Sequence, residues 1–269
     1  MQGRIILVTG GGSGIGAAIA EALARRGATV AVSGRRMEKL EDVVARIAAS
    51  GGRAVACQFD VRDVEQVKES VESLAERHGG IDGLVNNAAG NFVCPAEELS
   101  PNGWRAVVDI VLNGSWNCTA AVAPHLIARG GGSILSVIAS YAWTGHPGTV
   151  HSAAAKGGVL AMSRTLAAEW ARFGIRVNCI APGPTATEGA GAALWGSEEE
   201  RRRVLASVPA RRFASPDEIG EIAGFLMSEQ AAYITGEVLT VDGGQSVGRQ
   251  VYGPPVDLAE VPVDSEMGR

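Results

Sequence analysis

The residues most open to a chemical reading lie in the first forty. Thr9-Gly10-Gly11-Gly12-Ser13-Gly14-Ile15-Gly16 ends one apolar run and opens an amphipathic one. Glycines in such a turn reach positive φ, and their missing Cβ atoms let backbone N–H groups close on a pyrophosphate at a helix N-terminus. Gly12-x-Gly14-x-x-Ala17 also satisfies the general dinucleotide pattern. Its place between a strand and a helix separates it from an ordinary glycine turn. The second apolar run ends Ala31-Val32-Ser33-Gly34-Arg35-Arg36. Folds that bind NAD place an acid here, about 20 residues on, to hold the ribose 2′-hydroxyl. Arg35 and Arg36 stand there instead, and a guanidinium forks onto a 2′-phosphate. The expected cofactor is therefore NADP(H). Asp60, with Val61 beside it at the end of the third run, is the candidate acceptor for the adenine amino group.

These residues need a sheet to hold them. Seven short apolar runs, 4–9, 29–33, 53–59, 83–87, 133–138, 176–181 and 238–242, read as buried strands. Helical patterns lie between them at 15–26, 37–49, 63–77, 101–128, 150–173 and 216–228. Strands alternating with helices predict one doubly wound α/β domain, a parallel sheet with helices on both faces. Ser215-Pro216-Asp217-Glu218 carries an N-cap, a first-turn proline and a capping-box glutamate, and Ser100-Pro101 opens the helix before it in the same manner. The domain is expected to span 1–248. It includes an irregular stretch at 185–210, read as a substrate lid, whose EEERRR run at 198–203 suits a short solvated helix. Residues 249–269, with three prolines and four acids, read as a tail that is disordered or ordered only on contact.

Composition removes several classes. A net charge of −5 gives no basic footprint for nucleic acid, and no apolar run is long enough to span a membrane. The chain enters its first strand almost at once, leaving no room for a signal peptide. Cys57, Cys94, Cys118 and Cys179 form no CxxC pair and are read as reduced, in a cytoplasmic protein. The four histidines are scattered, so no metal site is expected.

Four ordered motifs resemble the short-chain dehydrogenase/reductase family: the Thr9–Gly16 loop, Asn86-Asn87-Ala88-Ala89-Gly90, Pro182-Gly183-Pro184-Thr185 and Val241-Asp242-Gly243-Gly244. The resemblance covers roughly 3–248. It implies that Asn87, Ala88, Pro182, Gly183 and Lys156 join the glycine loop in holding the cofactor. The departures matter more. The family usually carries Tyr-x-x-x-Lys, and here the segment is Ser152-Ala-Ala-Ala-Lys156. Its active-site asparagine, seven residues beyond a tryptophan, is replaced by Val111, counting from Trp104. Tyr141 follows the fifth strand and Asn91-Phe92 follows the fourth, at the sheet edge where ligands bind. With Tyr141 fifteen residues before Lys156, this set is similar to the short-chain 2,4-dienoyl-CoA reductases, a branch whose tyrosine is relocated in this way.

That resemblance implies NADPH-dependent reduction of 2,4-dienoyl-CoA to 3-enoyl-CoA, as in unsaturated fatty acid β-oxidation. Asn91 and Tyr141 would hold the thioester oxygen, Lys156 the nicotinamide ribose, and Ser152 would bridge them. Arg62, Phe92 and Ser100 match substrate-contacting positions, where packing or capping is an equal reading. The long helices resemble those that pair subunits, which implies a homotetramer. A trans-2-enoyl-CoA reductase, a 3-oxoacyl or carbonyl reductase, and a non-catalytic NADP(H)-binding protein remain alternatives.

Overall fold

The computed structural model describes residues 1–187 and 197–248. Seven strands form one parallel sheet: β1 (Ile5–Thr9), β2 (Thr29–Gly34), β3 (Arg53–Gln58), β4 (Gly83–Asn86), β5 (Gly132–Val137), β6 (Ile175–Pro182) and β7 (Val238–Val241). Their order is β3-β2-β1-β4-β5-β6-β7, so the chain reverses its direction of travel between β1 and β4. In open α/β sheets ligands bind beyond the carboxyl ends of the strands at such a switch point.

Side chains alternate along the strands, and each face finds its own cover. Ile6, Val8, Val30 and Val32 pack with Ile19, Leu23 and Leu40 of α1 (Gly14–Arg25) and α2 (Met37–Ala49), and with Ile219 and Leu226. Ile5, Leu7 and Ala31 pack on the other face with Val67, Val71, Val122 and Leu166. α3 (Val64–His78) starts where the Asp63 carboxylate accepts the Glu65 and Gln66 amides, and stops at Gly79 with φ 75°.

The stretch 101–128 is not one helix. α4 (Pro101–Val108) passes through a π-helical turn at Asp109–Asn113 into α5 (Gly114–Ala128). Val61 reaches Gly114 so closely that a Cβ there would lie 2.6 Å from Val61 Cγ2. A four-residue helix, α6 (Tyr141–Thr144), follows β5, and α7 (Val150–Trp170) ends in a 3₁₀ turn. α8 (Glu198–Ala206) and α9 (Pro216–Met227) both begin in capping boxes, closed by Ser197 with Glu200 and by Ser215 with Glu218. The expected lid at 185–210 falls partly outside the described residues, and the expected tail at 249–269 wholly so. Among the described residues no helix is long and apolar enough to cross a membrane.

Candidate active site

At the carboxyl ends of β1, β2 and β4 lies a cleft of about 1130 Å³. Gly10, Gly12, Ser13, Gly14, Ile15, Gly16, Arg35, Arg36, Asp60, Val61, Asn87 and Ala88 all line it; of the cofactor residues expected from sequence, only Lys156, Pro182 and Gly183 do not. A cleft of about 1380 Å³ at the opposite edge of the sheet contains none of them.

The glycine loop is held from behind. Asn87 Nδ2 donates to the Thr9 and Gly10 carbonyls at 3.0 and 3.1 Å, and Thr9 Oγ1 accepts the Asn87 and Ala88 amides, both at 3.0 Å. A Cβ at Gly16 would collide with the Gly10 carbonyl oxygen and Asn87 Nδ2. The turn is thus as tight as a backbone cradle for a pyrophosphate must be, and it fits a dinucleotide. Gly16→Ala should cost about 1–3 kcal/mol of stability by overpacking. Cofactor affinity should fall at least about tenfold, the scale of a lost hydrogen bond. Thermal melts with and without cofactor check both; an unchanged cofactor-induced shift would show the loop to be unused.

Asp60, the expected adenine acceptor, is also paired with a neighbour. Both of its oxygens meet the Arg62 guanidinium, at 2.5–3.1 Å, and this bonding holds its carboxyl below the usual range. Asp60 therefore lines the cleft as half of an ion pair, and Arg62 is the other half. Ser100 Oγ accepts the Gly103 amide at 3.0 Å, so it caps α4. Pro182 and Gly183 seal β6 against the end of β7, where a Cβ on Gly183 would lie 2.6 Å from Asp242 Cα.

The second group lies beyond β4 and β5. Tyr141 Oη and Ser152 Oγ are 3.1 Å apart, which joins α6 to the first turn of α7. Lys156 lies one turn further along α7, and its Nζ donates to the Val137 carbonyl at 2.5 Å, at the end of β5. Burial pushes this lysine down to about 8. Burial raises the Tyr141 hydroxyl, against a smaller opposite effect from Ser152, so the phenol keeps its proton and has it to donate. Asn91 Oδ1 accepts the Phe92 amide at 2.9 Å, which leaves the Asn91 N–H₂ as the end free to donate.

The place of the missing asparagine is filled by apolar core. Val111 is buried, and its carbonyl, in the π-helical turn, accepts from Ser115 Oγ at 2.6 Å. Asn113 points elsewhere and bonds to Asp109 at 2.8 Å. Three contributors escaped the sequence reading: Thr9, legible in hindsight as the first residue of the loop; Thr187, which lines the cleft; and His151, a lone histidine with no local signal.

The model of one family, described as enoyl-(acyl carrier protein) reductase, matches residues 10–246. The chain belongs to the short-chain dehydrogenase/reductase family. Within this family it is 46% identical to a probable 2,4-dienoyl-CoA reductase of Bacillus subtilis, named as producing the (2E)-enoyl-CoA, over 91% of this chain and 97% of that one. It is 35% identical to the 3-oxoacyl-[acyl-carrier-protein] reductase FabG of Thermotoga maritima, over 91% and 98%. A gluconate 5-dehydrogenase from Burkholderia cenocepacia J2315, solved in complex with NADP and tartrate, superposes with a TM-score of 0.87 at 35% identity, over 91% of this chain and 96% of that one. The protein is thus a short-chain dehydrogenase/reductase oxidoreductase with a nicotinamide cofactor cleft.

Proposed function

We propose that this oxidoreductase uses NADPH to reduce 2,4-dienoyl-CoA thioesters. The observation that carries the reading is the Tyr141–Ser152 contact on the turn of α7 that leads to Lys156. It supplies a half-buried phenol beside the helix that here carries Ser152 in place of the family's tyrosine, while Val111 stands where the usual asparagine would be.

A reduced nicotinamide held by the cleft residues and Lys156 would supply the hydride that adds to the δ-carbon of the substrate. Negative charge then runs through the conjugated system to the thioester oxygen. Tyr141 Oη–H and Asn91 N–H₂ donate to that oxygen, where preorganised donors lower the barrier most. Ser152 fixes the Tyr141 hydroxyl, and Lys156 binds the nicotinamide ribose and places a positive charge beneath the site. Phe92 contacts the acyl chain, and Arg62 and Ser100 can make the expected substrate contacts through the Arg62 Nη1 and Ser100 O–H donors that their present bonds to Asp60 and Gly103 leave over. Protonation at the α-carbon gives the 3-enoyl-CoA expected from sequence. Protonation at the γ-carbon gives the (2E)-enoyl product named for the B. subtilis relative.

The test is NADPH oxidation across 2,4-dienoyl-, trans-2-enoyl- and 3-oxoacyl-CoA thioesters, with NMR of the product. The dienoyl thioester should be reduced fastest. Preference for the 3-oxoacyl thioester would transfer the protein to the chemistry named for the Thermotoga relative.

Four free thiols suit a reducing cytoplasm. Assembly as a homotetramer through the long helices is part of the same proposal. Trp104, Trp116 and Ile127 on α4 and α5 are exposed in the single chain and are the side chains such an assembly would cover. Sedimentation at micromolar concentration should give close to four chain masses; a clean monomer would refute the assembly without touching the fold.

A further inference from the structure

Asn91 and Tyr141 follow different strands, so something must fix one segment against the other. Three contacts do so. The Cys94 amide donates to the Gly148 carbonyl at 2.9 Å. Gly148, at φ +77°, comes so close that a Cβ would lie 2.9 Å from Val93 Cγ1. The rings of Phe92 and His151 meet at 4.4 Å between centroids, tilted by 39°. His151 precedes Ser152 in the first turn of α7, so this ring pair joins the Asn91 segment to the helix that holds Tyr141 in place.

His151 is an unexpected choice for this role. It is 0% exposed, and among the described residues neither ring nitrogen has a partner of hydrogen-bond geometry. A buried polar group left unpaired costs about 1–3 kcal/mol. A phenylalanine would stack on Phe92 without that penalty, so the nitrogens need a use that the free protein does not display. The Phe92 backbone lies close enough to act on the ring, though burial prevails and holds the imidazole below the usual histidine range. Hydrogen bonds that matter in turnover are often long in free enzymes and shorten in the substrate complex.

We propose that His151 is a positioning residue: its ring N–H closes onto the Phe92 backbone when substrate binds and sets the Asn91 amide against the Tyr141 hydroxyl. The inference rests on the roles given above to Asn91 and Tyr141. His151 does not touch the reacting atoms; it acts through Phe92 and Asn91.

The test replaces the ring without removing it. His151→Phe keeps the stacking and deletes both nitrogens. We expect kcat to fall about 10²-fold, as for misplacement of a reacting group by an ångström. KM for the thioester and the NADPH dissociation constant should stay within about threefold, less than one hydrogen bond is worth. Tm should be unchanged or higher, because an unpaired polar group has left the core. Either His151→Asn or His151→Gln, which keep a donor near the Nδ1 or the Nε2 position, should recover most of the lost kcat. Wild-type kcat in His151→Phe would overturn the proposal. So would a loss of kcat accompanied by a lower Tm or weaker NADPH binding, since that is damage to packing. The assay uses whichever thioester the unmodified protein reduces best. A dienoyl-inactive protein that reduces an enoyl or 3-oxoacyl thioester would sink the proposed substrate while leaving this measurement intact, and turnover of no thioester would overturn both.

Discussion

Tyr141→Phe should lower kcat on a dienoyl thioester by about 10²–10³-fold, the loss expected from removing one donor to a developing oxyanion. The change deletes one oxygen and leaves the ring in α6. It also leaves Ser152 Oγ without the partner it now has at 3.1 Å, so the loss includes a loosened network as well as a missing donor. NADPH affinity should hardly move, because Tyr141 does not line the phosphate cleft. Asn91→Ala should act on the same scale for the same reason. The double variant should fall short of the product of the two singles, since groups acting on one centre are not additive. Ser152→Ala should cost less than either, because the serine orients a donor and is not one to the substrate. Lys156→Ala should weaken both cofactor binding and rate. Steady-state kinetics and cofactor titration on the same preparations separate these outcomes. Full turnover by Tyr141→Phe with none by Ser152→Ala would return the working hydroxyl to the helix.

The sheet was legible because its signals are local. Every strand was expected within two residues, since buried strands are short apolar runs and the caps at Ser100 and Ser215 mark their helices within four residues of chain. That the glycine loop, the two arginines and Asp60 line one cleft was legible for a related reason: all sit at strand ends. What was hidden depends on contacts between distant segments or on deviations that leave no period. The π-helical turn at Asp109–Asn113 keeps the apolar pattern of a helix, so 101–128 read as continuous. α6 is four residues long, too short to show periodicity, and its Tyr141 was expected at a strand end rather than in a helix. The Asp60–Arg62 pair spans two residues of a turn, where neither helix nor strand spacing applies. Phe92 and His151 are fifty-nine positions apart in the chain, and nothing near either foretells the stacking.

Replacing Arg35 with Glu should reverse or erase a preference for NADPH over NADH of about two orders of magnitude, the scale of a charge-assisted hydrogen bond to phosphate. Arg35 and Arg36 follow β2 directly, are exposed, and line the cleft on the side of Gly12 and Ser13. That is the position from which an acid would accept the ribose hydroxyls of NAD. The nearby carboxylate of Asp60 does not cancel them. Asp60 feels the charge of Arg35, but its oxygens are bonded to Arg62. The glutamate would repel a 2′-phosphate and accept from a 2′-hydroxyl, so NADPH should lose and NADH should gain. Both arginines are solvated, so the preference of the unmodified protein should shrink as salt rises, with a screening length of about 10 Å at 0.1 M. kcat/KM for both cofactors, at low and high ionic strength, measures all of this. Equal use of NADH and NADPH by the unmodified protein would show that the two arginines merely decorate a turn.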